Sequence, residues 1–266
     1  MESERGGEDI LSNKSDKDWI RLGEKDPYFA VLTDDKFRRD NLNEQSLREF
    51  FESGEKYVDF IFQTIHSHLD PTFQPRIALD FGCGVGRLVI PLARICDSVT
   101  GVDVSPHMLQ EARRNCESRG LDNVILAASD DTLANVQGTF DFIHSYIVFQ
   151  HIPVERGEQI VGGLLERLRE DGIGVLHFSY YSDISRISKF LYRLRRASKL
   201  FHLLMNIREG SGIDNPLMQI NEYDINKLLL LLQEHDCHHS YLRFTAHREV
   251  LGVVLFFQRK RPLPAL

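Results

Sequence analysis

The sequence predicts an α/β protein built on a doubly wound, mostly parallel sheet of seven strands that ends in an antiparallel hairpin. From residue 76 onward, apolar strand-like runs alternate with amphipathic segments, which is typical of parallel sheets covered by helices on both faces. A glycine-rich turn at residues 82–87 joins the first strand to the first of these helices. The chain closes with two apolar runs that only a few residues separate, which indicates the hairpin.

The first 70 residues precede this alternation and are predicted to form a tail and a helical arm. Residues 1–16 are polar and rich in Gly, Ser, Glu and Lys, so we expect a disordered tail. Residues 17–70 form the predicted N-terminal cap. Within it, residues 17–40 favour a short helix and an extended arm, and residues 43–69 repeat apolar side chains at spacings near three and four, which predicts a long helix.

The first half of the main domain (residues 71–266) is predicted to hold three strands and two helices. The strands lie at residues 76–82, 98–104 and 123–129, and the helices at residues 87–96 and 105–120. The second helix carries clear boundary signals: Ser105 is placed as N-cap, Pro106 as the first helical residue and Gly120 as the C-terminal stop.

The second half continues the alternation and then departs from it. Two strands are predicted at residues 140–149 and 172–181, with a helix around 156–169 between them. A helical insertion follows at about 184–218. Its basic amphipathic stretch 189–208 is a solvated cap, a contact for an anionic or lipid-linked substrate or, third in view of the acidic net charge, a docking site for RNA. The last elements are a helix at residues 222–235 and the hairpin strands at 239–246 and 249–258.

Composition limits the classes of function. The chain of 266 residues has 32 Lys and Arg against 39 Asp and Glu, a net charge of −7. This balance opposes a nucleic-acid surface over the whole protein, although it permits a local basic patch. The four cysteines lack CxxC spacing, which favours reduced thiols. With no signal-peptide pattern and no apolar run near the roughly 20 residues of a membrane span, we expect a cytoplasmic protein.

The strongest local signal is the stretch DFGCGVGR, from Asp80 to Arg87. Glycines there let the backbone turn tightly and approach a ligand. Asp103 ends the next predicted strand, where a carboxylate can accept two hydrogen bonds from a ribose diol. A glycine turn alone is a weak motif, but strand, turn, helix, strand and acid in this order indicate a nucleotide-type ligand.

Position 87 bears on which nucleotide this is. A dinucleotide site would have glycine or alanine there, so that the helix packs closely and its N-terminus meets the pyrophosphate. Arg87 occupies the position, which counts against NAD or FAD. S-adenosylmethionine has no phosphate, so its site needs the open turn without a pyrophosphate cradle.

Residues 77–177 resemble the class I, seven-stranded, Rossmann-like family of S-adenosylmethionine-dependent methyltransferases. LDFGCGVGR is similar to the first motif of that family, GVDVSPHML to its second-strand motif and FDFIHSYIVFQHIP to its fourth-strand motif. The terminal hairpin also matches, because that fold finishes with an antiparallel strand. The resemblance implies S-adenosylmethionine as the cofactor.

The resemblance also implies a set of cofactor-binding residues at the ends of the strands. The methionine end would be held by Asp80 and by the backbone of Gly82, Cys83, Gly84 and Gly86. The adenosine end would be held by Asp103 at the ribose, by Val104 and Met108 against adenine, and by Asp130 and Asp131 at its amino group and ring. Ser145 and Tyr146 would face the sulfonium or the acceptor. Core packing for Met108 and a solvated turn for the two aspartates stay open.

The chemistry itself needs few side chains. Methyl transfer depends on proximity, alignment and exclusion of water, with a general base only where the accepting atom carries a proton. His151 is the candidate base, because a neutral imidazole takes up such a proton; a role limited to shaping the pocket stays open. Trp19 and Tyr28 either close over the cofactor or pack on the domain. No metal is expected, since residues 235–239 lack a usual zinc spacing.

The sequence therefore predicts methyl transfer to a small-molecule acceptor (a sugar, a lipid-linked compound or a secondary metabolite), at oxygen. A methyltransferase of RNA or protein is the nearest alternative, although no appended recognition domain is evident. A NAD-dependent oxidoreductase and a non-catalytic S-adenosylmethionine-binding module are two others. Nucleic acid is not an expected partner, and the sequence does not indicate an oligomeric state.

Overall fold

A seven-stranded sheet forms the centre of the molecule in the computed structural model, which describes residues 14–183, 191, 194, 198–208, 218–247 and 249–260. The strands in chain order are β1 (Ile77–Phe81), β2 (Ser98–Asp103), β3 (Val124–Ala128), β4 (Phe140–Ser145), β5 (Leu168–Ser182), β6 (His239–His247) and β7 (Val250–Gln258). Their order across the sheet is β3-β2-β1-β4-β5-β7-β6. Strands β1 to β5 pair in parallel, whereas β7 is antiparallel to both β5 and β6. The predicted sheet and its final hairpin are confirmed.

Helices pack on both faces of this sheet. In chain order they are α1 (Lys14–Lys25), α2 (Pro27–Val31), α3 (Glu44–His68), α4 (Val89–Ala93), α5 (Pro106–Glu117), α6 (Val154–Arg167), α7 (Lys199–Arg208) and α8 (Ile225–Glu234). One hydrophobic cluster joins α1 to α5 with one face of the sheet, and a second joins α6 and α8 with the other. No helix in these described ranges is long and apolar enough to cross a membrane.

Strand alternation explains why the core has two halves. Successive side chains of a strand point to opposite faces, so Phe256 of β7 packs with the cluster under α3 while Phe257 packs with the cluster under α6. Both rings are buried. The central strands, covered on both faces, therefore carry nearly continuous apolar runs.

Capping residues set the ends of helices α3 and α5. Asn43 caps α3 through a reciprocal pair in which its side chain accepts from the backbone NH of Ser46 and the Ser46 hydroxyl accepts from the NH of Asn43. Ser105 caps α5 by accepting from the NH of Met108, and Pro106 begins that helix, as predicted. Gly120 ends the turn after α5 with a φ of 66°, a left-handed conformation that suits glycine.

Three predicted boundaries differ from the structure. The predicted tail extends too far, because Ser15 and Asp16 belong to α1 and are buried; residues 1–13 lie outside the described part. The extended arm predicted after the first helix is replaced by α2 and a 3-10 turn at Asp35–Phe37. The fourth strand ends at Ser145 instead of residue 149, and of the insertion at 184–218 only residues 191, 194, 198–208 and 218 are described.

Candidate active site

A large cleft opens at the carboxyl ends of β1, β2 and β4, where the strand order reverses. Its volume is about 1190 Å³, and ligands of open α/β sheets bind at this kind of switch point. Helices α1, α2 and α3 and the β6–β7 hairpin contribute walls. Residues from distant parts of the chain meet there, among them Trp19, Val31, Tyr57, Asp80, Gly82, Asp103, Met108, Tyr146, His151, Arg156, Asn221 and His247.

The glycine turn lines the cleft with backbone. Gly82 and Gly84 adopt φ values of 76° and 54°, which other residues rarely adopt. A Cβ at Gly82 would lie 2.3 Å from a methyl group of Val148, and a Cβ at Gly84 would lie 2.7 Å from one of Val31. Glycine is therefore required at both positions for the turn to fit between β1, α2 and the loop after β4.

Two other residues of the predicted turn contribute differently. Cys83 lines the cleft but is buried, and burial raises the pKa of its thiol well above the usual value, so the thiol stays protonated. Gly86 does not line the cleft, because it faces Ala112 of α5. The ligand-facing part of the turn is thus residues 82–84.

Asp103 presents its carboxylate at the middle of the cleft. One oxygen accepts from the NH of Gly84 at 2.9 Å, and the other accepts from the NH of Ser105 at 2.8 Å. Burial raises the pKa of this carboxyl group to about 6, although those backbone donors favour the charged form. Each carboxylate oxygen has a second lone pair, so the group is held in place and still able to accept from two hydroxyls of a ribose.

Of the four residues predicted around adenine, three line the cleft: Val104, Met108 and Asp131. Asp130 does not. Its Oδ1 accepts from the NH and the hydroxyl of Thr132 at 2.9 and 2.8 Å and from the NH of Ala134 at 3.1 Å. This side chain closes its own turn, so the prediction that it meets adenine is corrected; Ser129 and Asp131 line the wall at this point instead.

At the end of β4, two adjacent residues that were predicted to face the ligand differ in their position. Ser145 is buried, and its hydroxyl donates to the carbonyl of Phe81 at 2.8 Å; it ties β4 to β1 and does not line the cleft, which corrects the prediction for it. Tyr146 does line the cleft. The next residue, Ile147, has a φ of 59°, and this left-handed residue turns the chain away from the strand into the cleft wall.

Asp80 lies at the bottom of the cleft beside a histidine. Its Oδ1 is 2.9 Å from Nδ1 of His144, and both side chains are buried. The other ring nitrogen of His144 is 3.4 Å from the hydroxyl of Tyr57. His144 lies within β4, and its ring orients Asp80 there.

His151 lines the cleft from the 3-10 turn after β4. Its Nδ1 lies 2.6 Å from the carbonyl of Gln219, so this nitrogen is the donor, and its Nε2 lies 3.1 Å from the amide nitrogen of Gln150 and accepts from it. The ring packs against Trp19 with centroids 4.8 Å apart. Burial lowers the pKa of His151 to about 4, so the imidazole is neutral near pH 7.

Helix α1 closes one side of the cleft through residues that the sequence did not single out. Arg156 of α6 donates to both carboxylate oxygens of Asp16 at 2.7 and 2.8 Å and also pairs with Asp131. Ser15 contacts the carbonyl of His151 at 3.4 Å. Because Asp16 and Arg156 are 140 residues apart in the chain, no local pattern could have revealed the pair. Tyr28, in contrast, packs away from the cleft, on Glu111 and Asn115 of α5.

The side of the cleft near α3 and the hairpin gathers further residues from distant segments. Tyr57 of α3 packs on Tyr146 with ring centroids 4.2 Å apart, and the Tyr146 hydroxyl lies 3.4 Å from Nε2 of His247. The segment before α8 adds Met218 and Asn221. These residues have no motif of their own, and only the fold brings them together.

Comparison with known proteins agrees with this geometry. A family model described as a methyltransferase domain matches residues 78–172, which contain the glycine turn, Asp103 and His151. Over these residues the chain is similar to methyltransferase domains. The matched region covers β1 to the first part of β5, and it includes the three strands at whose carboxyl ends the cleft opens.

Individual relatives match this chain only in part. The mitochondrial ubiquinone biosynthesis O-methyltransferase of Schizosaccharomyces pombe is 31% identical over 155 residues, 56% of this chain and 52% of that protein. The 23S rRNA (uracil(1939)-C(5))-methyltransferase RlmD of Marinomonas posidonica is 28% identical over 125 residues, 43% of this chain and 28% of that protein. This chain thus spans about half or less of the length of these curated relatives.

The fold extends beyond the matched region. The crystal structure of magnesium protoporphyrin IX methyltransferase from Synechocystis PCC 6803 with bound SAH superposes with a TM-score of 0.60 at 20% identity, covering 92% of this chain and all of that one. At this identity the likeness concerns the fold. It includes the helical arm before β1 as well as the sheet.

The residues of the cleft fit S-adenosylmethionine, the cofactor that the sequence resemblance implies. The Asp103 carboxylate has free lone pairs for the ribose hydroxyls. It lies beside a glycine turn that has no room for a Cβ at Gly82 or Gly84, so the backbone itself faces the ligand. Met108 and Val104 form an apolar wall for the adenine ring. Arg87 follows the turn where a dinucleotide site would need a small residue. In the described ranges, no three His, Cys, Asp or Glu side chains converge as a metal site would require.

Proposed function

We propose that this protein transfers a methyl group from S-adenosylmethionine to an oxygen atom of a small-molecule acceptor. The observation that carries the proposal is the partly buried Asp103 carboxylate, fixed by two backbone NH groups and facing the cleft beside the glycine turn. This arrangement suits a ribose diol, and Arg87 follows the turn at the position where a dinucleotide site needs a small residue. It therefore favours the methyltransferase over the oxidoreductase considered from the sequence.

Different residues of the cleft would bind different parts of the cofactor. Asp103 would accept from the ribose hydroxyls, Val104 and Met108 would pack against adenine, and Asp80 with the backbone at residues 82–84 would hold the amino-acid end. When bound, the cofactor supplies an electrophilic methyl group on a sulfonium. The protein contributes alignment of the reactants and exclusion of water, because α1 and α2 cover the cleft. Trp19 presents an aromatic face that attracts a cation such as the sulfonium.

Two features support a small acceptor methylated at oxygen. The cleft is enclosed by α1, α3 and the β6–β7 hairpin, which suits a compact molecule better than a folded RNA or protein. The S. pombe relative, which matches 56% of the chain, is named as an O-methyltransferase. The four described cysteines are free and buried, which supports our further proposal of a reducing, cytoplasmic location.

His151 remains our proposed proton acceptor, with a limited capacity. Its Nε2 lone pair is occupied by Gln150, and a base with a pKa of about 4 takes up a proton effectively only from an acidic hydroxyl. We therefore propose that an acceptor hydroxyl displaces the Gln150 amide from His151. Once an acceptor is known, His151→Gln should lower turnover and leave affinity for S-adenosylhomocysteine unchanged; normal turnover would exclude the role.

Calorimetric titration with S-adenosylhomocysteine tests the cofactor directly, with NAD as a parallel control. We expect a dissociation constant on the order of micromolar for S-adenosylhomocysteine and no heat of binding for NAD. Binding of NAD alone would overturn the proposal. Asp103→Ala is the matched variant, and it should weaken S-adenosylhomocysteine by about 2–4 kcal/mol through the loss of two charge-assisted hydrogen bonds.

A further inference from the structure

Arg87 is a buried arginine that faces the cleft. It directly follows the glycine turn, is 6% exposed and lines the cavity together with Ser53 and Tyr57 of α3. One terminal nitrogen donates to the hydroxyl of Ser53 at 3.4 Å, which is a long contact. Its Nε is buried and has no hydrogen-bond partner among the described residues.

The surroundings of this guanidinium hold no matching anion. Within the described ranges, the salt bridges within 4.0 Å do not include Arg87. The Tyr57 ring lies 5.9 Å from the guanidinium carbon, and Asp80, beyond ion-pair distance, has its Oδ1 on His144. Burial lowers the pKa of Arg87. A charged group without a partner destabilises a folded protein, so its position is unexplained by folding alone.

We propose that Arg87 binds a carboxylate group of a ligand in the cleft. This inference rests on the proposed function, because that function supplies two ligands that carry or could carry a carboxylate. One source is the amino-acid carboxylate of the cofactor, since Asp80 and the glycine turn lie next to Arg87. The other is an acidic group on the acceptor, since Tyr57 and Tyr146 form an aromatic wall beside it.

The geometry suits this class of anion. A guanidinium presents parallel NH donors in a plane, and a carboxylate accepts two of them at once. Arg87 has donors to spare, because among the described residues its side chain makes only the long contact to Ser53. A lysine at this position would keep the charge and lose the paired hydrogen bonds, so Arg87→Lys should restore binding only in part.

The test compares Arg87→Met with Arg94→Met. Arg94 is an exposed arginine at the end of α4, paired with Glu55 of α3, so its variant removes the same charge from the same region outside the cleft. Three probes are titrated by calorimetry: S-adenosylhomocysteine; 5′-methylthioadenosine, which lacks the amino-acid part; and benzoate, added to the S-adenosylhomocysteine complex. Thermal unfolding without ligand serves as the folding control.

Two outcomes support the proposal and identify the source. If Arg87→Met weakens S-adenosylhomocysteine by about tenfold or more and leaves 5′-methylthioadenosine unchanged, the carboxylate is that of the cofactor. If both nucleosides bind as before but benzoate no longer binds, the carboxylate belongs to the acceptor. In either case Arg94→Met behaves like the wild type, and Arg87→Met unfolds at the same or a higher temperature because an unpaired buried charge has been removed.

The remaining outcomes contradict the proposal. Unchanged binding of all three probes by Arg87→Met, or an equal loss for S-adenosylhomocysteine and 5′-methylthioadenosine accompanied by a lower unfolding temperature, would make Arg87 a structural residue. Both of these leave the proposed function intact. Failure of the wild-type protein to bind S-adenosylhomocysteine would instead overturn the proposed function, and the inference with it.

Discussion

Asp103 and His151 face the same cleft, and burial drives each of them toward its neutral form. It raises the pKa of Asp103 to about 6 and lowers that of His151 to about 4. Near pH 7, Asp103 is therefore ionised and able to accept hydrogen bonds, whereas His151 is an uncharged imidazole. Between about pH 5 and pH 8, Asp103 changes its charge and His151 does not.

This difference predicts how cofactor affinity depends on pH. Because the ribose hydroxyls need the ionised carboxylate, protonation of Asp103 in the free protein competes with binding. Affinity for S-adenosylhomocysteine should be constant above about pH 7 and fall as pH decreases through 6, by about tenfold between pH 8 and pH 5. Calorimetry across this range measures it. Asp103→Asn should bind weakly at every pH with a flatter profile; an equal pH dependence in the variant would assign the titration to another group.

Single residues were predictable from sequence where their role depends on near neighbours. The motif predicts the tight turn at Gly82 and Gly84 and the place of Asp103 at the end of β2, as the structure has them. The contacts of these residues with a cofactor stay predictions. Ser145 was misassigned because its hydroxyl reaches Phe81 on the adjacent strand, a contact set by sheet register. Asp130 was misassigned because a short carboxylate in a turn caps nearby NH groups.

Helix α1 forms part of the cleft wall. It contributes Ser15, Asp16 and Trp19 to the cleft. Its attachment depends on Arg156, which is 14% exposed, and on Asp16, which is 11% exposed. A partly buried, bidentate pair of this kind is stronger than an exposed one. Helix α1 therefore covers one side of the cleft, and the ion pair between Asp16 and Arg156 connects it to α6.

Breaking this pair should loosen α1 without unfolding the sheet. We expect Arg156→Met to speed hydrogen exchange of the α1 amides by about tenfold or more, since roughly 1.4 kcal/mol of lost docking energy corresponds to that factor. S-adenosylhomocysteine should also dissociate faster. Arg48→Met, which removes an exposed pair with Glu44 on α3, is the matched control. Unchanged exchange of α1 in Arg156→Met would show that other contacts hold this helix.

Most elements were predictable because their periodicity is strong. The strands before and after the glycine turn, the long helix α3 and the final hairpin match their predicted positions within a few residues. The arm after α1 was predicted as extended, since a five-residue helix such as α2 has too few turns to show a period. The fourth strand was predicted too long because its apolar run continues past Ser145 into the cleft wall.

At the scale of the whole molecule, one topological feature produces the cleft. Strand order reverses between β1 and β4, so the connections that leave these strands go to opposite faces and a gap opens above their ends. Alternating strands and helices predict this reversal in general terms. They do not predict which distant segments complete the walls, and Tyr57, Asn221 and His247 reach the cleft only through the packing of α3, the α8 approach and the hairpin.

Methyl transfer to a small molecule is the central claim, and isotope labelling tests it most directly. The purified protein is incubated with a cell extract and an equal mixture of S-adenosylmethionine carrying CH3 or CD3. The solvent-soluble, RNA and protein fractions are then examined by mass spectrometry. We predict paired masses, separated by the CH3–CD3 difference, in the small-molecule fraction only, and lost in Asp103→Ala. Paired masses in the RNA or protein fraction, with none among small molecules, would contradict the account.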